Sequence, residues 1–196
     1  LLASLVAMSF PFDEAAAARM KGDAAATCSG LAGPSDNAVR IDSAAMQAPS
    51  PLSVAEKAPT PLARINPALP EFCKVLGRIE PTDPKAPPIR FQVNLPVEWN
   101  GRSLQYGGGG FNGVLITGLA LPPAAPFGAA SPLAQGFATY GTDSGHETKP
   151  GEPPQLFALN DEAFENFAHK SYKKVRDAAV ALMVRAYGNP PAKLYF

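Results

Sequence analysis

The stretch Arg102-Ser103-Leu104-Gln105-Tyr106-Gly107-Gly108-Gly109-Gly110-Phe111-Asn112-Gly113 decides how the rest of the chain is read. A short strand pattern runs into four consecutive glycines, where the chain gives up side chains altogether. Glycine has no Cβ and reaches positive φ without penalty, so such a turn can point backbone N–H groups at an oxygen that a side chain would block. The expected guest is an anion, or an atom that becomes one.

Two phosphate-binding readings fail. A phosphate cradle needs G-x-x-x-x-G-K-[ST], and a dinucleotide fold needs G-x-G-x-x-G opening a helix, with an acidic residue about 20 positions on. No Lys follows the glycines here, and proline-rich sequence stands where the helix would be. The remaining functional reading is the glycine-rich loop after the third strand of an α/β-hydrolase, which supplies one of two oxyanion-hole amides. The plain alternative is a surface turn.

Composition narrows the classes. The 196 residues carry 17 Lys+Arg against 17 Asp+Glu, with 46% hydrophobic residues, enough for one domain with a core. No basic cluster with interleaved aromatics appears, so nucleic acid is excluded as a partner on electrostatic grounds. The 22 prolines and 17 glycines imply many loops and extended segments.

Leu1 to Phe12 is apolar, Asp13-Glu14 interrupt it, and Ala15-Ala16-Ala17-Ala18 offers an A-x-A cleavage site before Arg19. Residues 1–18 are therefore expected to be a signal peptide, entered part-way because the sequence begins with Leu, and the protein is expected to be secreted or periplasmic. A run of roughly twelve apolar residues is too short to span a bilayer. Cys28 and Cys73 make an even pair suited to an exported chain, and the simplest reading joins them. That bridge closes a loop of roughly 45 residues, for which chain entropy gives about 4 kcal/mol at most. From Leu31 to Pro70 there is little periodicity, so residues 19–70 are expected to form an N-terminal extension tethered by the disulfide, outside the core.

From residue 71 onward regular elements follow. Cys73–Glu80 and Ile89–Leu95 alternate apolar and polar residues around a turn-rich segment, which predicts an antiparallel pair. Ser103–Tyr106 and Phe137–Gly141 read as further strands, joined by a crossover whose prolines allow at most a short or broken helix. Asp161–Tyr187 reads as a helix, with Phe164, Phe167, Ala168, Tyr172, Val175, Ala179, Leu182 and Ala186 on one face. Asn160 or Asp161 can cap its start and Gly188 its end, and Lys193-Leu194-Tyr195-Phe196 opens a strand. No further element read from residues 1–196 is expected to cover the apolar face of that helix.

LPEFCKVLGRI, LPVEWNGRSLQYGGGGFNG, GFATYGTDSGH and FALND, in that order, resemble the tannase and feruloyl esterase family over about residues 69 to 196. The resemblance implies an α/β fold: the N-terminal part of an α/β-hydrolase domain over residues 71–196, with the first strands, the oxyanion loop and the helix before the nucleophile strand. It implies a serine carboxylic ester hydrolase acting on small aromatic acid esters. Gly108, flanked by Gly107 and Gly109, becomes the oxyanion-hole donor. The family's C-S-x-G-G nucleophile elbow, its acid and its His are expected beyond Phe196, as are its lid and calcium site, so no catalytic triad residue and no cofactor is expected in this segment. Cys28-Ser29-Gly30 has no strand before it and no helix after it in the sequence pattern, and does not qualify as the elbow.

Asp143 and His146, in Thr142-Asp143-Ser144-Gly145-His146 at a strand's C-terminal end, are read as hydrogen-bonding neighbouring loops and supporting the site. A triad made of Asp143, Ser144 and His146 is disfavoured because residues so close in sequence rarely reach its geometry. His169, among Lys170, Lys173 and Lys174, reads as solvated. Scattered His and Cys give no metal-ligand spacing. Phe111, Phe127, Phe137, Phe157, Phe164 and Phe167 could line an aromatic pocket, although packing explains most of them. The reading from a different class is a secreted, non-enzymatic binding module whose glycine loop holds an anion.

Overall fold

A computed structural model describes residues 17–35, 38–54, 65–122, 125–126 and 128–196. The apolar run Leu1–Phe12 and Phe127 lie outside the described residues. In chain order the elements are β1 (Ala18–Arg19), α1 (Ala24–Ser29), β2 (Gly33–Pro34), β3 (Val39–Gln47), β4 (Ser53–Val54) and β5 (Ile65–Asn66). Next come β6 (Phe72–Ile79), β7 (Ile89–Pro96), β8 (Glu98–Trp99), β9 (Arg102–Gln105) and β10 (Ala138–Thr142). The chain then forms α2 (Asp161–Glu165), a π-helical turn (Asn166–Lys170), α3 (Ser171–Tyr187) and β11 (Lys193–Tyr195).

The expected antiparallel pair is β6 and β7, in register from Phe72 opposite Pro96 to Ile79 opposite Ile89. They sit within a seven-stranded mixed sheet of order β11-β9-β10-β7-β6-β3-β2. β9 pairs in parallel with both β10 and β11, while β10 runs antiparallel to β7. The C-terminal ends of β9 and β10 therefore lie side by side, which brings the glycine run next to Thr142–His146. The crossover between them holds no helix among the described residues, as its prolines require.

One face of β7 presents Ile89, Phe91, Val93 and Leu95 to the main core, which also contains Val175, Ala179, Leu182, Met183 and Ala186 of α3. Its other face carries the buried polar pair Gln92 and Asn94. Gln92 Nε2 donates to Asn94 Oδ1 at 2.8 Å, and Asn94 Nδ2 donates to Thr117 O at 2.7 Å and Thr139 Oγ1 at 3.0 Å. The irregular crossover thus covers the second face through hydrogen bonds that satisfy its own backbone.

Two expectations need correction. The described part of residues 19–70 does not lie outside the core: β3 pairs with β6 over its length, and Met20, Cys28, Leu31, Val39 and Ile41 join the main cluster. A register shift between Ile41 and Ser43, followed by alanines, breaks the two-residue alternation that would have marked β3 as a strand. The helix face is not uncovered either. Lys21 N donates to Ala186 O at 3.0 Å, Arg185 Nη2 donates to Gly30 O at 2.8 Å, and Trp99 stacks on Tyr187 at 4.4 Å. The segment before residue 70 supplies part of that cover, held by the disulfide Cys28–Cys73, both ends of which are fully buried.

The long helix is capped as expected: Asn160 Oδ1 accepts from Ala163 N at 2.9 Å, and Gly188 ends it at φ 94°. The π turn inserts one residue, which shifts the phase of the preceding turn. Ala163 and Asn166 are buried in place of Phe164 and Phe167, and Phe164 is 52% exposed. No helix among the described residues is long and apolar enough to cross a membrane.

Candidate functional site

β9 delivers the chain to the site with Tyr106 N donating to Tyr140 O at 2.8 Å. Gly107 to Gly110 then lie exposed, and a tight turn returns Asn112 N to Gly109 O at 2.9 Å. The glycines are not equivalent. A Cβ at Gly109 would meet nothing within 4 Å, and one at Gly107 would come to 3.3 Å of Phe196 Cζ. A Cβ at Gly108 would overlap the Asn112 carboxamide, whose Nδ2 would be only 2.8 Å away. A side chain at 108 would therefore require the Asn112 carboxamide to move. The Gly108 N–H donates to the Tyr172 hydroxyl at 3.2 Å, and Tyr172 O accepts from Gln105 Nε2 at 2.9 Å. A hollow of about 290 Å³ opens beside Tyr172, against Gln105, Arg176, Tyr195 and Phe196.

Asn112, absent from the sequence-based candidates, ties this loop to the next. It holds φ 55°, and its Nδ2 donates to Thr142 O at 3.1 Å and Ser144 Oγ at 2.8 Å. Its only sequence signal is an Asn inside a glycine turn, the residue type that best tolerates left-handed backbone after glycine.

The Thr142–His146 turn is anchored to β7. Thr142 Oγ1 donates to Arg90 O at 2.8 Å and accepts from Ser144 N at 3.1 Å. Asp143 Oδ1 accepts from Arg90 N at 3.0 Å and Gly145 N at 2.8 Å, which ties the turn to β7. Burial pushes the Asp143 carboxyl up to about 6, against the opposing pull of the Gly145 and Arg90 amides.

His146 was expected to hydrogen-bond neighbouring loops, and its ring packs against aromatic side chains instead. It is 3% exposed, and neither ring nitrogen completes a hydrogen bond. The ring instead stacks on Phe157 at 3.8 Å and meets Phe167 edge-on at 5.6 Å, and Phe111 completes the aromatic cluster. Burial lowers its pKa, with the Phe111 and Ser144 backbone opposing, so the ring is neutral at pH 7. No miniature triad forms: Asp143 is spent on backbone amides, Ser144 Oγ on Asn112, and His146 on neither.

His169 is exposed, as its lysine neighbours suggested. Ser29 of the Cys28-Ser29-Gly30 sequence closes α1, its hydroxyl donating to Ala26 O at 3.1 Å, and presents no elbow. Among the described residues no three His, Cys, Asp or Glu side chains are grouped to hold a metal ion.

A family model for tannase and feruloyl esterase matches residues 73–196. An uncharacterized esterase of Agrobacterium fabrum is 46% identical over 133 residues, covering 64% of this chain and 23% of that protein. The mono(2-hydroxyethyl) terephthalate hydrolase of Piscinibacter sakaiensis is 35% identical over 137 residues, covering 66% of this chain and 22% of that protein. Among solved structures, feruloyl esterase B of Aspergillus oryzae superposes with a TM-score of 0.60 at 21% identity, over 88% of this chain and 31% of the other. Tannin acyl hydrolase of Aspergillus niger gives 0.53 at 17% identity, over 92% and 33%. The chain thus spans about a quarter of the length of the curated relatives it matches, and its mixed sheet with few helices fits an α/β-hydrolase-like fold.

Proposed function

Because this chain belongs to the tannase and feruloyl esterase family, we propose that it is the N-terminal part of a serine carboxylic ester hydrolase acting on small aromatic acid esters. The observation that carries the reading is the exposed glycine turn that follows β9, in which the Gly108 N–H is met by the Tyr172 hydroxyl and a Cβ at 108 would have to displace the Asn112 carboxamide. In acyl transfer by a serine nucleophile, a negative charge develops on the ester carbonyl oxygen, and preorganised N–H donors stabilise it. Gly108 N–H supplies one such donor. The second donor, together with the nucleophile, acid and His, belongs to sequence following the strand that β11 begins.

Residues 1–18 act as an export signal in this reading, and the product is secreted or periplasmic. The Cys28–Cys73 bridge supports that placement, since disulfides persist in oxidising compartments. Family membership and the esterase relatives weigh against a purely binding module.

The test is to express the whole reading frame that contains this chain and assay it against methyl ferulate, methyl gallate and a terephthalate monoester beside an aliphatic ester. Turnover of one or more aromatic esters, abolished by a fluorophosphonate serine reagent, is expected. Anion binding without ester turnover would favour the binding module.

A further inference from the structure

The glycine run has no side chains with which to fix itself, yet an oxyanion donor works only when its N–H direction is set before the charge arrives. What fixes the run lies outside it. Its entry is held by β9 and by Tyr106 N donating to Tyr140 O at 2.8 Å. Its exit is held at Asn112, whose backbone closes the turn on Gly109 and whose carboxamide reaches into the neighbouring loop. The carbonyl oxygen of Asn112 also accepts from Thr148 Oγ1 at 3.4 Å.

Resting on the reading of Gly108 as oxyanion donor, we propose that Asn112 is the positioning residue of that donor. It sets the Gly108 amide direction by wedging its carboxamide under the Gly108 Cα while clasping the Thr142–Ser144 turn. Three independent observations meet on this side chain. The space a Gly108 Cβ would need is filled by the Asn112 carboxamide. Its Nδ2 spends both protons on Thr142 O and Ser144 Oγ, so the wedge cannot rotate away without losing two hydrogen bonds. Asn112 and Ser144 are also the two described non-glycine residues with positive φ, at 55° and 67°, a backbone state retained where the surroundings enforce it. The side chain touches no reacting atom; it acts through Gly108.

The chemistry specifies a neutral amide. An Asp at 112 would turn a carboxylate oxygen toward the Thr142 carbonyl and place negative charge beneath a donor meant to receive a developing anion. An Ala would leave the glycine turn free to reorient. Misplacement of a catalytic group by about 1 Å costs roughly 10²-fold.

The experiment measures kcat, KM and the inhibition constant of a trifluoromethyl ketone substrate analogue, to whose carbonyl the nucleophilic serine adds to give a hemiketal oxyanion in the hole, for the full-length wild type, Asn112→Ala, Asn112→Asp and Ser144→Ala. Circular dichroism melting is followed in parallel. The expected result for Asn112→Ala is a kcat lower by about 10- to 100-fold, KM within about threefold, and a parallel loss of ketone affinity, with the fold intact. Asn112→Asp should fall further and recover in part at acid pH as its carboxyl protonates, a signature that mere packing would not give. Should Asn112→Ala fail to fold, Ser144→Ala, which removes a single acceptor, carries the test with a smaller loss of the same kind. Unchanged kcat, or activity that falls only in step with the folded fraction, overturns the proposal. A wild type that turns over no ester overturns the functional reading itself and takes this proposal with it.

Discussion

The Gly108 N–H and the Tyr172 hydroxyl are hydrogen-bonded at 3.2 Å, which joins the glycine turn to the first turn of α3. The π turn over Asn166–Lys170 ends immediately before α3, and Gln105 at the end of β9 holds the Tyr172 carbonyl, so both elements cooperate in aiming this phenol. A substrate oxygen that binds the amide must displace the phenol. An exposed hydrogen bond is worth about 1 kcal/mol net, so Tyr172→Phe is expected to raise kcat/KM for an aromatic ester by about fivefold. A fall in kcat/KM would show that the hydroxyl contributes to catalysis instead of competing with it.

The Asp143 carboxyl predicts a pH dependence of stability with a definite sign. Burial raises it to about 6 in the fold, against an ordinary value near 4, so the folded state holds the proton more tightly than the unfolded one. Stability contributed by this group is present at low pH and is lost as pH rises from about 4 to about 6, on the order of 3 kcal/mol in total. Asp143→Asn keeps an oxygen for Arg90 N and Gly145 N, and is expected to flatten that limb and raise the melting temperature at pH 7. Melting curves taken between pH 4 and pH 8 check this, and a limb that persists in the variant contradicts it.

His146 acts in the opposite direction. Its charged form is disfavoured by burial, so stability falls as pH drops below about 6.5, where the unfolded chain takes up the proton first. Neither ring nitrogen makes a hydrogen bond of good geometry, although the nearby Phe111 and Ser144 backbone favours the charged ring, and the ring stacks on Phe157. His146→Phe should therefore keep the stack, remove the acid limb and leave the fold at least as stable at pH 7, by melting temperature. A loss of more than about 2 kcal/mol would mean that the imidazole makes a polar contact that the stacked arrangement does not account for.

The Cys28–Cys73 bridge joins α1 to β6 across 45 residues. Replacing both cysteines with serine removes a constraint worth about 4 kcal/mol in the chain-entropy account. The double variant should melt markedly lower and unfold with a steeper denaturant slope, because the unfolded chain without the crosslink exposes more surface. An unchanged melting temperature would mean that β3 and α1 dock without it.

The strands from β6 onward were legible because their alternation is clean and their turns are marked by Pro and Gly. The cap at Asn160 and the stop at Gly188 were legible because capping chemistry is local. β3 was not, since a register shift after Ile41 and a run of alanines erase its period, and with β3 went the recognition that α1, β3 and the residues around them belong to the core. The π turn was equally hidden: a one-residue insertion in helical phase leaves no composition signal, yet it moves Phe164 outward and brings in Asn166. At the site, the glycine run named itself, whereas Asn112 did not, because its importance lies in which loop it reaches. His146 was singled out for its polarity, and the fold uses its ring.

The most direct test of the account is the steady-state kinetics of Gly108→Val in the full-length protein with an aromatic ester. A Val Cβ must displace the Asn112 carboxamide and with it the amide direction. The account predicts a kcat lower by about 10²- to 10³-fold, with KM nearly unchanged and the fold retained. Wild-type turnover in that variant would contradict the assignment of Gly108 as an oxyanion donor and, with it, the reading of this chain as the N-terminal part of an ester hydrolase active site.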